Sequence, residues 1–350
     1  MASGAAAPRV SPRAALEVFA PARVDLAGGT LDLWPLYCLH PGSVTVNAAL
    51  TCGVRLRLVD GGAAAGRIRH SSPGCPPVEL APEDSARHLV AAVGFHLRPE
   101  GGFATEVLEQ PPVGSGLGGS SALAVAVARG CLALAGERPV RAFLVATLRD
   151  LEACVLGAPT GVQDYLPALV GGVLAIHLQP GGERVERLPV PHSWLEERMV
   201  VVFSGVPHSS GVVNWEVYRA RVDGDRAVAA ALDAIAAAAA ECRRALLALD
   251  EVAVGRAVAA EWQARMRLAP SVTNPALDAI LGAGVSAGAR AAKACGAGGG
   301  GSVIFWVPPA LRASVRVAAL AAAPRDAFEI AGGVSSRGAT VRRLSVAVRT

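Results

Sequence analysis

A chain of 350 residues with 52% hydrophobic and 18% charged positions is long enough for one large or two medium domains around a substantial core. Its formal net charge is only +4 and its basic residues are scattered, so an arginine-rich nucleic-acid arm is excluded and no nucleic-acid partner is expected. The longest apolar runs, such as 227–240, are alanine-dominated and interrupted by Asp233, so no membrane span is expected.

In chain order, residues 1–14 are rich in Ala, Pro and Arg without the apolar core of a secretion signal, and read as a disordered tail. Residues 16–20 and 23–27 read as two short strands around Pro21, 43–49 and 53–59 as a strand pair, and 66–70 as a strand after the Gly61-Gly62 turn. A helix is expected over 84–98 and a strand over 103–109. Helices over 120–135 and 139–155 follow, then a helical turn from Asp164 and a strand over 172–178. Pro180, Gly181, Gly182, Pro189 and Pro191 mark a soft boundary, giving an N-terminal domain 15–190 and a C-terminal domain 191–350. The second part reads as a strand at 198–204 and helices at 214–222, 225–249, 251–267 and 275–290. Strands at 302–307 and 340–348 then flank a helix at 309–322. Strands and helices mix without a regular βαβ alternation, which favours α+β over a doubly wound sheet.

The seven cysteines show no CxxC pair and no zinc-ligand spacing. A scattered, odd set of this kind, mostly inside apolar segments, fits reduced, buried thiols in a cytoplasmic protein.

Residues 111–122, Pro-Pro-Val-Gly-Ser-Gly-Leu-Gly-Gly-Ser-Ser-Ala, carry the strongest chemical signal. Glycines let a backbone turn its N–H groups inward, and a helix N-terminus attracts anions. A glycine-rich turn feeding a helix is a phosphate cradle, with Ser120 and Ser121 placed for a phosphate oxygen or a magnesium ion. The P-loop pattern is excluded because it needs a lysine, and the only lysine in the chain is Lys293. Gly114, Gly116 and Gly119 satisfy the dinucleotide fingerprint in letters. Pro111 and Pro112 interrupt its strand, however, and Glu137 falls in a turn, so a dinucleotide enzyme remains a minor alternative.

Three further segments join it. Residues 296–301, Gly-Ala-Gly-Gly-Gly-Gly, form a second glycine-dense turn entering a strand, either a flexible connector or a second wall of one site. Glu152 and Asp164 frame the loop from Gly157; the bland readings are a surface carboxylate and a helix N-cap. Phosphoryl transfer, in contrast, needs a metal ligand and a carboxylate near the acceptor hydroxyl. Residues 20–34 contribute Arg23, Asp25, a Gly28-Gly29 turn and Asp32. Arg23 suits phosphate or a neighbouring carboxylate, and Asp32 suits sugar hydroxyls or plain solvent. Trp34, Tyr37, His40, His208, Ser209, Ser210 and Asn214 could shape an acceptor pocket or equally be packing residues.

Taken in this order, Ala20–Trp34, Pro111–Ala122, Gly157–Asp164 and Lys293–Gly301 resemble the motifs of the GHMP kinases, most closely the sugar branch with its heptose 7-phosphate kinases and fucokinase-like enzymes. The resemblance implies a two-domain α+β fold, with a ribosomal-protein-S5-like N-terminal domain and a ferredoxin-like C-terminal domain. It implies ATP and Mg2+ as cofactors and a small sugar or sugar phosphate as acceptor. Asp164 would take the acceptor proton, and Arg23 would stabilise the transferring phosphoryl group. Pro112, Gly114, Ser115, Gly116, Leu117, Gly118, Gly119, Ser120 and Ser121, with Gly298 and Gly299, would contact ATP. Ser121 and Glu152 would hold magnesium, and Gly29, Thr30, Asp32, Gly161, Gln163 and Gly300 would meet the acceptor. The other readings are a kinase of the mevalonate or homoserine branch, or a non-catalytic ligand-binding relative.

Overall fold

The computed structural model describes residues 14–207 and 210–345, so residues 1–13 of the expected tail, His208, Ser209 and residues 346–348 of the expected last strand lie outside the described residues. The N-terminal part runs β1 (Ala15–Ala27), α1 (Leu36–Leu39), β2 (Val44–Ala65), β3 (Ile68–Ser71), β4 (Val78–Leu80), α2 (Leu89–Leu97) and β5 (Gly101–Glu109). It continues through α3 (Gly119–Ala135), α4 (Arg141–Leu156), α5 (Tyr165–Val170), β6 (Val173–Gln179) and β7 (Gly182–Leu188). Next come α6 (His192–Glu196), β8 (Met199–Phe203), α7 (Ser210–Val222), α8 (Arg226–Leu247), α9 (Glu251–Arg265) and α10 (Pro275–Ser286). The chain closes with β9 (Ala291–Ala294), β10 (Ser302–Trp306), α11 (Arg312–Ala321), β11 (Phe328–Glu329) and β12 (Thr340–Leu344).

The larger sheet has the path β12-β1-β2-β5-β3-β4, with β6 pairing β2 and β7 extending β6. The two short strands expected around Pro21 are one strand, because the ladder to β2 absorbs the proline at a register shift between Pro21 and Arg23. A bulge of this kind re-aims the residues beyond it. Likewise 43–49 and 53–59 do not form a hairpin. They are successive parts of the 22-residue β2, whose first part pairs β6 and whose later part pairs β5. The helix expected over 84–98 is a 3-10 turn at Pro82–Ala86 followed by the shorter α2. The Pro/Gly-rich boundary hides a strand: Gly182–Leu188 pairs along its whole length with β6.

The second sheet, β11-β8-β10-β9, is antiparallel throughout. Its helices carry strong local start signals. Asp225 accepts backbone N–H bonds from Ala227 and Val228, Asp250 from Val252 and Ala253, and Asn274 from Leu277. Each such cap contributes about 1 kcal/mol. Alanine-rich α8 buries a stripe of Val228, Ala231, Leu232, Ile235, Ala239 and Cys242, the three-and-four spacing of an amphipathic helix. The helix expected to reach 290 stops at Ser286, and 291–294 become β9. The end of the chain returns to the first sheet, where β12 pairs antiparallel with β1. All seven cysteines are unpaired, but only Cys131, Cys242 and Cys295 are buried as expected; Cys52 is half-buried, and Cys38, Cys75 and Cys154 are exposed because they lie on loops or outward helix faces. Among the described residues no helix is long and apolar enough to cross a membrane.

The minor dinucleotide reading does not survive this topology. α3 runs into another helix, α4, rather than into a strand parallel to β5, and Glu137 follows the α3 C-cap Gly136.

Candidate active site

A cavity of about 880 Å³ opens between the two sheets' loops. The first glycine loop forms one wall. Gly114, Gly116 and Gly118 all have φ between +71° and +72°, a backbone region that favours glycine, and Gly118 is the left-handed N-cap of α3. The loop is anchored at both sides: the Arg23 N–H donates to the Leu117 carbonyl, and the Ser302 N–H donates to the Ser115 carbonyl at 2.7 Å. The second bond ties the two glycine-rich segments together, so they share one cavity.

Of the residues expected from sequence, Arg23, Thr30, Asp32, Pro112, Gly114, Ser115, Gly116, Gly118, Gly119, Ser120, Ser121, Glu152, Gly161, Gln163 and Asp164 line that cavity. Gly29, Leu117, Gly298, Gly299 and Gly300 do not. Leu117 is fully buried in the second hydrophobic cluster, a plug beneath the loop. Gly298 is packed against the chain before α10, where an added Cβ would stand 2.3 Å from the Val272 carbonyl oxygen, and the Gly299 N–H donates to that same oxygen. The second glycine-rich turn instead presents Gly296 and Ala297 to the cavity. Among the candidate acceptor-pocket residues, Asn214 lines it, whereas Trp34, Tyr37 and His40 do not; Ser210 opens α7. Trp215 and Glu216, which follow Asn214 on α7, were not expected from sequence.

Both bland readings of the acids fail. Glu152 extends the buried Leu144–Leu148 stripe of α4 by one more turn, so helical periodicity carries a carboxylate inward. Ser120 donates to its Oε1 at 2.5 Å, while Ser121, at 2.9 Å, and the Tyr165 hydroxyl donate to Oε2. Burial raises its pKa against these hydrogen bonds. Asp164 occupies the N-cap position of α5 but makes no capping bond. Its carboxylate turns to Arg23, whose Nε lies 2.7 Å and whose second guanidinium nitrogen lies 2.6 Å from Oδ1. Asp164 keeps a quarter of its side chain exposed, towards the cavity it lines, while Arg23 is buried.

Asp32 enters from the 28–34 turn and is held by the Gln163 backbone N–H, which donates to Oδ2 at 2.9 Å. Burial pushes its pKa up to about 6, with the Gln163 hydrogen bond and Arg23 opposing and Asp164 adding to the rise. Between pH 4 and 6 the folded chain therefore binds a proton that the unfolded chain has lost, so stability from this group falls as pH rises through that window. At neutral pH the ionised, buried Asp32 costs the fold about 3 kcal/mol. Asp32→Asn is expected to melt higher than the parent at pH 7 while weakening any ligand that uses the carboxylate. Parallel melting curves and ligand titrations check both halves, and an unchanged or lower melting point would refute the first.

Residues 83–172 match the family model described as GHMP kinases N terminal domain, and residues 242–325 match GHMP kinases C terminal. A D-glycero-alpha-D-manno-heptose 7-phosphate kinase of Campylobacter jejuni is 27% identical over 307 residues, covering 83% of this chain and 88% of that protein. Among solved structures, a D-glycero-D-manno-heptose 1-phosphate kinase from Bacteriodes thetaiotaomicron is 21% identical, with a TM-score of 0.72 over 95% of this chain and 100% of that one. A Lactococcus lactis galactokinase complexed with galactose is 18% identical, with a TM-score of 0.76 over 93% and 95%. At such identities the two structures speak to the fold, and they share the two-domain α+β architecture described above.

Proposed function

Because the chain belongs to the GHMP kinases, with both family domains in order along it, we infer that it transfers the γ-phosphate of ATP to a hydroxyl of a sugar or sugar phosphate. The observation that carries this reading is the Arg23–Asp164 ion pair, which lies in one cavity with the 114–121 loop and Asp32. Phosphoryl transfer asks a protein mainly to position the reactants and to stabilise charge on the transferring group. In this reading the loop's N–H groups and the α3 N-terminus hold the triphosphate. Asp32 and the Gln163 segment orient the acceptor, Asp164 accepts the hydroxyl proton, and Arg23 steadies both Asp164 and the moving phosphoryl group.

Charge favours magnesium at Glu152. Asp164 has Arg23 and Asp25 has Lys293, but the partners of Glu152 are hydroxyls alone, so this buried carboxylate is one cation short. Among the described lining residues Arg23 is the sole cationic side chain, against four acids, Asp32, Glu152, Asp164 and Glu216. Glu152 and Ser121 would hold the ion, which when bound neutralises phosphate oxygens. Glu152→Gln is expected to raise the magnesium concentration needed for half-maximal turnover at least about tenfold, measured by titrating the metal at fixed nucleotide. An unchanged requirement would remove Glu152 from the metal site.

The mevalonate and homoserine branch is the weaker alternative. The lysine that mevalonate kinases typically carry in the first motif is replaced by Arg23, and this chain's one lysine is buried on β9. The seven unpaired thiols favour a reducing, cytoplasmic setting. An ADP-release screen over free sugars, sugar phosphates, homoserine and mevalonate tests the reading. Turnover confined to the last two would overturn it.

A further inference from the structure

Five charged side chains lie buried just behind the cavity: Arg23, Asp25, Glu261, Arg265 and Lys293. They alternate in sign along a continuous line. Asp25 lies 4.0 Å from Arg23, and Lys293 donates to its Oδ2 at 2.6 Å; the Lys293 ammonium is also 3.3 Å from Glu261. Glu261 in turn accepts from Arg265 Nε at 2.9 Å and from a second guanidinium nitrogen at 2.5 Å. Both ends of the line terminate on the cavity wall. Arg23 reaches Asp164 and the Gly116 carbonyl, while Arg265 donates to the Gly29 carbonyl at 2.9 Å and to Thr30 Oγ1 at 3.1 Å. Asp25 additionally accepts the Gly296 N–H at 2.7 Å, which brings in the second glycine-rich turn.

Stability does not account for such a line. Apolar side chains of similar volume are often as stable as a buried ion network, or more so, whereas removal of one partner is costly. What the network supplies is geometry. Three segments far apart in sequence, the β1 end, α9 and β9, are locked to one another at fixed charge-to-charge distances. Arg265 does this with a planar fork that engages Glu261 and the 29–30 turn simultaneously.

We propose that Arg265 and Lys293 are positioning residues for the two sides of the reaction: Arg265 sets the turn that carries Asp32, and Lys293, through Asp25, sets Arg23 against Asp164. The proposal rests on the kinase reading for its kinetic consequences but not for its structural ones. Arg265→Lys keeps the charge and loses the fork. It is expected to raise the acceptor KM about tenfold, with kcat and the nucleotide KM within about twofold. Lys293→Met leaves Asp25 to compete for Arg23, and is expected to lower kcat about tenfold or more with a smaller change in acceptor KM. Where Lys293→Met folds poorly, Lys293→Met with Asp25→Asn removes both charges of the pair and should restore the melting point but not kcat.

Amide exchange reads the same division without turnover. Arg265→Lys should loosen 28–33 and Lys293→Met should loosen 114–118, each largely sparing the other segment. Parallel losses in both kinetic constants that track the melting point, or exchange that rises everywhere, would overturn the proposal and leave a merely structural network. A parent protein inert towards every sugar would sink the kinase reading instead, and the exchange pattern would still decide this one.

Discussion

Replacing Asp164 by Asn is expected to lower turnover about 10³-fold while nucleotide affinity stays within about twofold. Asparagine has nearly the shape of aspartate, and its Oδ can still accept from Arg23, so the loop and cavity should persist. The negative charge is what disappears. In the parent that charge faces the cavity, a quarter exposed, and is matched by two short contacts to one guanidinium. On the proposed kinase reading the acceptor hydroxyl then has no proton acceptor, and Arg23 is left with Asp25 at 4.0 Å as its remaining charged partner. Single-turnover ADP release at saturating acceptor, together with calorimetric titration of nucleotide, separates the two effects. Full turnover in Asp164→Asn would reduce this carboxylate to an anchor for Arg23 and would place the whole catalytic demand on the positioning of the phosphates.

Sequence alone was informative where chemistry is written in adjacent letters. The 114–121 loop, the 157–164 loop and Asp32 are local patterns whose backbone demands show in their glycines, and the structure brings them into one cavity. It was least informative where burial decides. Glu261 and Arg265 stand four apart on α9, the spacing of an ordinary surface ion pair, yet both are buried beneath the 29–30 turn. The one available signal was the solitary Lys293 in a chain that otherwise uses arginine. Gly298 to Gly300 lie outside the cavity lining for a related reason. A run of glycines announces a close approach but does not say to what, and here the approach of Gly298 and Gly299 is to the Val272 carbonyl. Likewise β2 reads from sequence as two strands parted at 50–52, because no local rule foresees a strand that changes partners midway.

Gly161→Ala should be nearly as damaging as loss of Asp164, by a different route. An added Cβ at this position would lie 1.7 Å from Asp32 Oδ2 and 2.3 Å from its Cγ, far inside any allowed contact. The carboxylate cannot simply rotate away, because it is buried and tied to the Gln163 N–H only two residues along the same loop. The loop or the 28–34 turn must therefore move, and overpacking of this kind costs about 1–3 kcal/mol. Misplacement of about 1 Å in an orienting group can cost about 10²-fold in rate, so the acceptor KM should rise sharply and kcat fall together with it. Nucleotide binding should be spared, since the 114–121 loop is held from its other side by Ser302 and by Arg23. Asp32→Gly added to Gly161→Ala removes the clash and should recover the melting point without recovering acceptor affinity. That pairing distinguishes a steric effect on Asp32 from general damage to the loop. A Gly161→Ala variant with parental acceptor KM would mean that Asp32 and the 157–164 loop do not hold the acceptor between them.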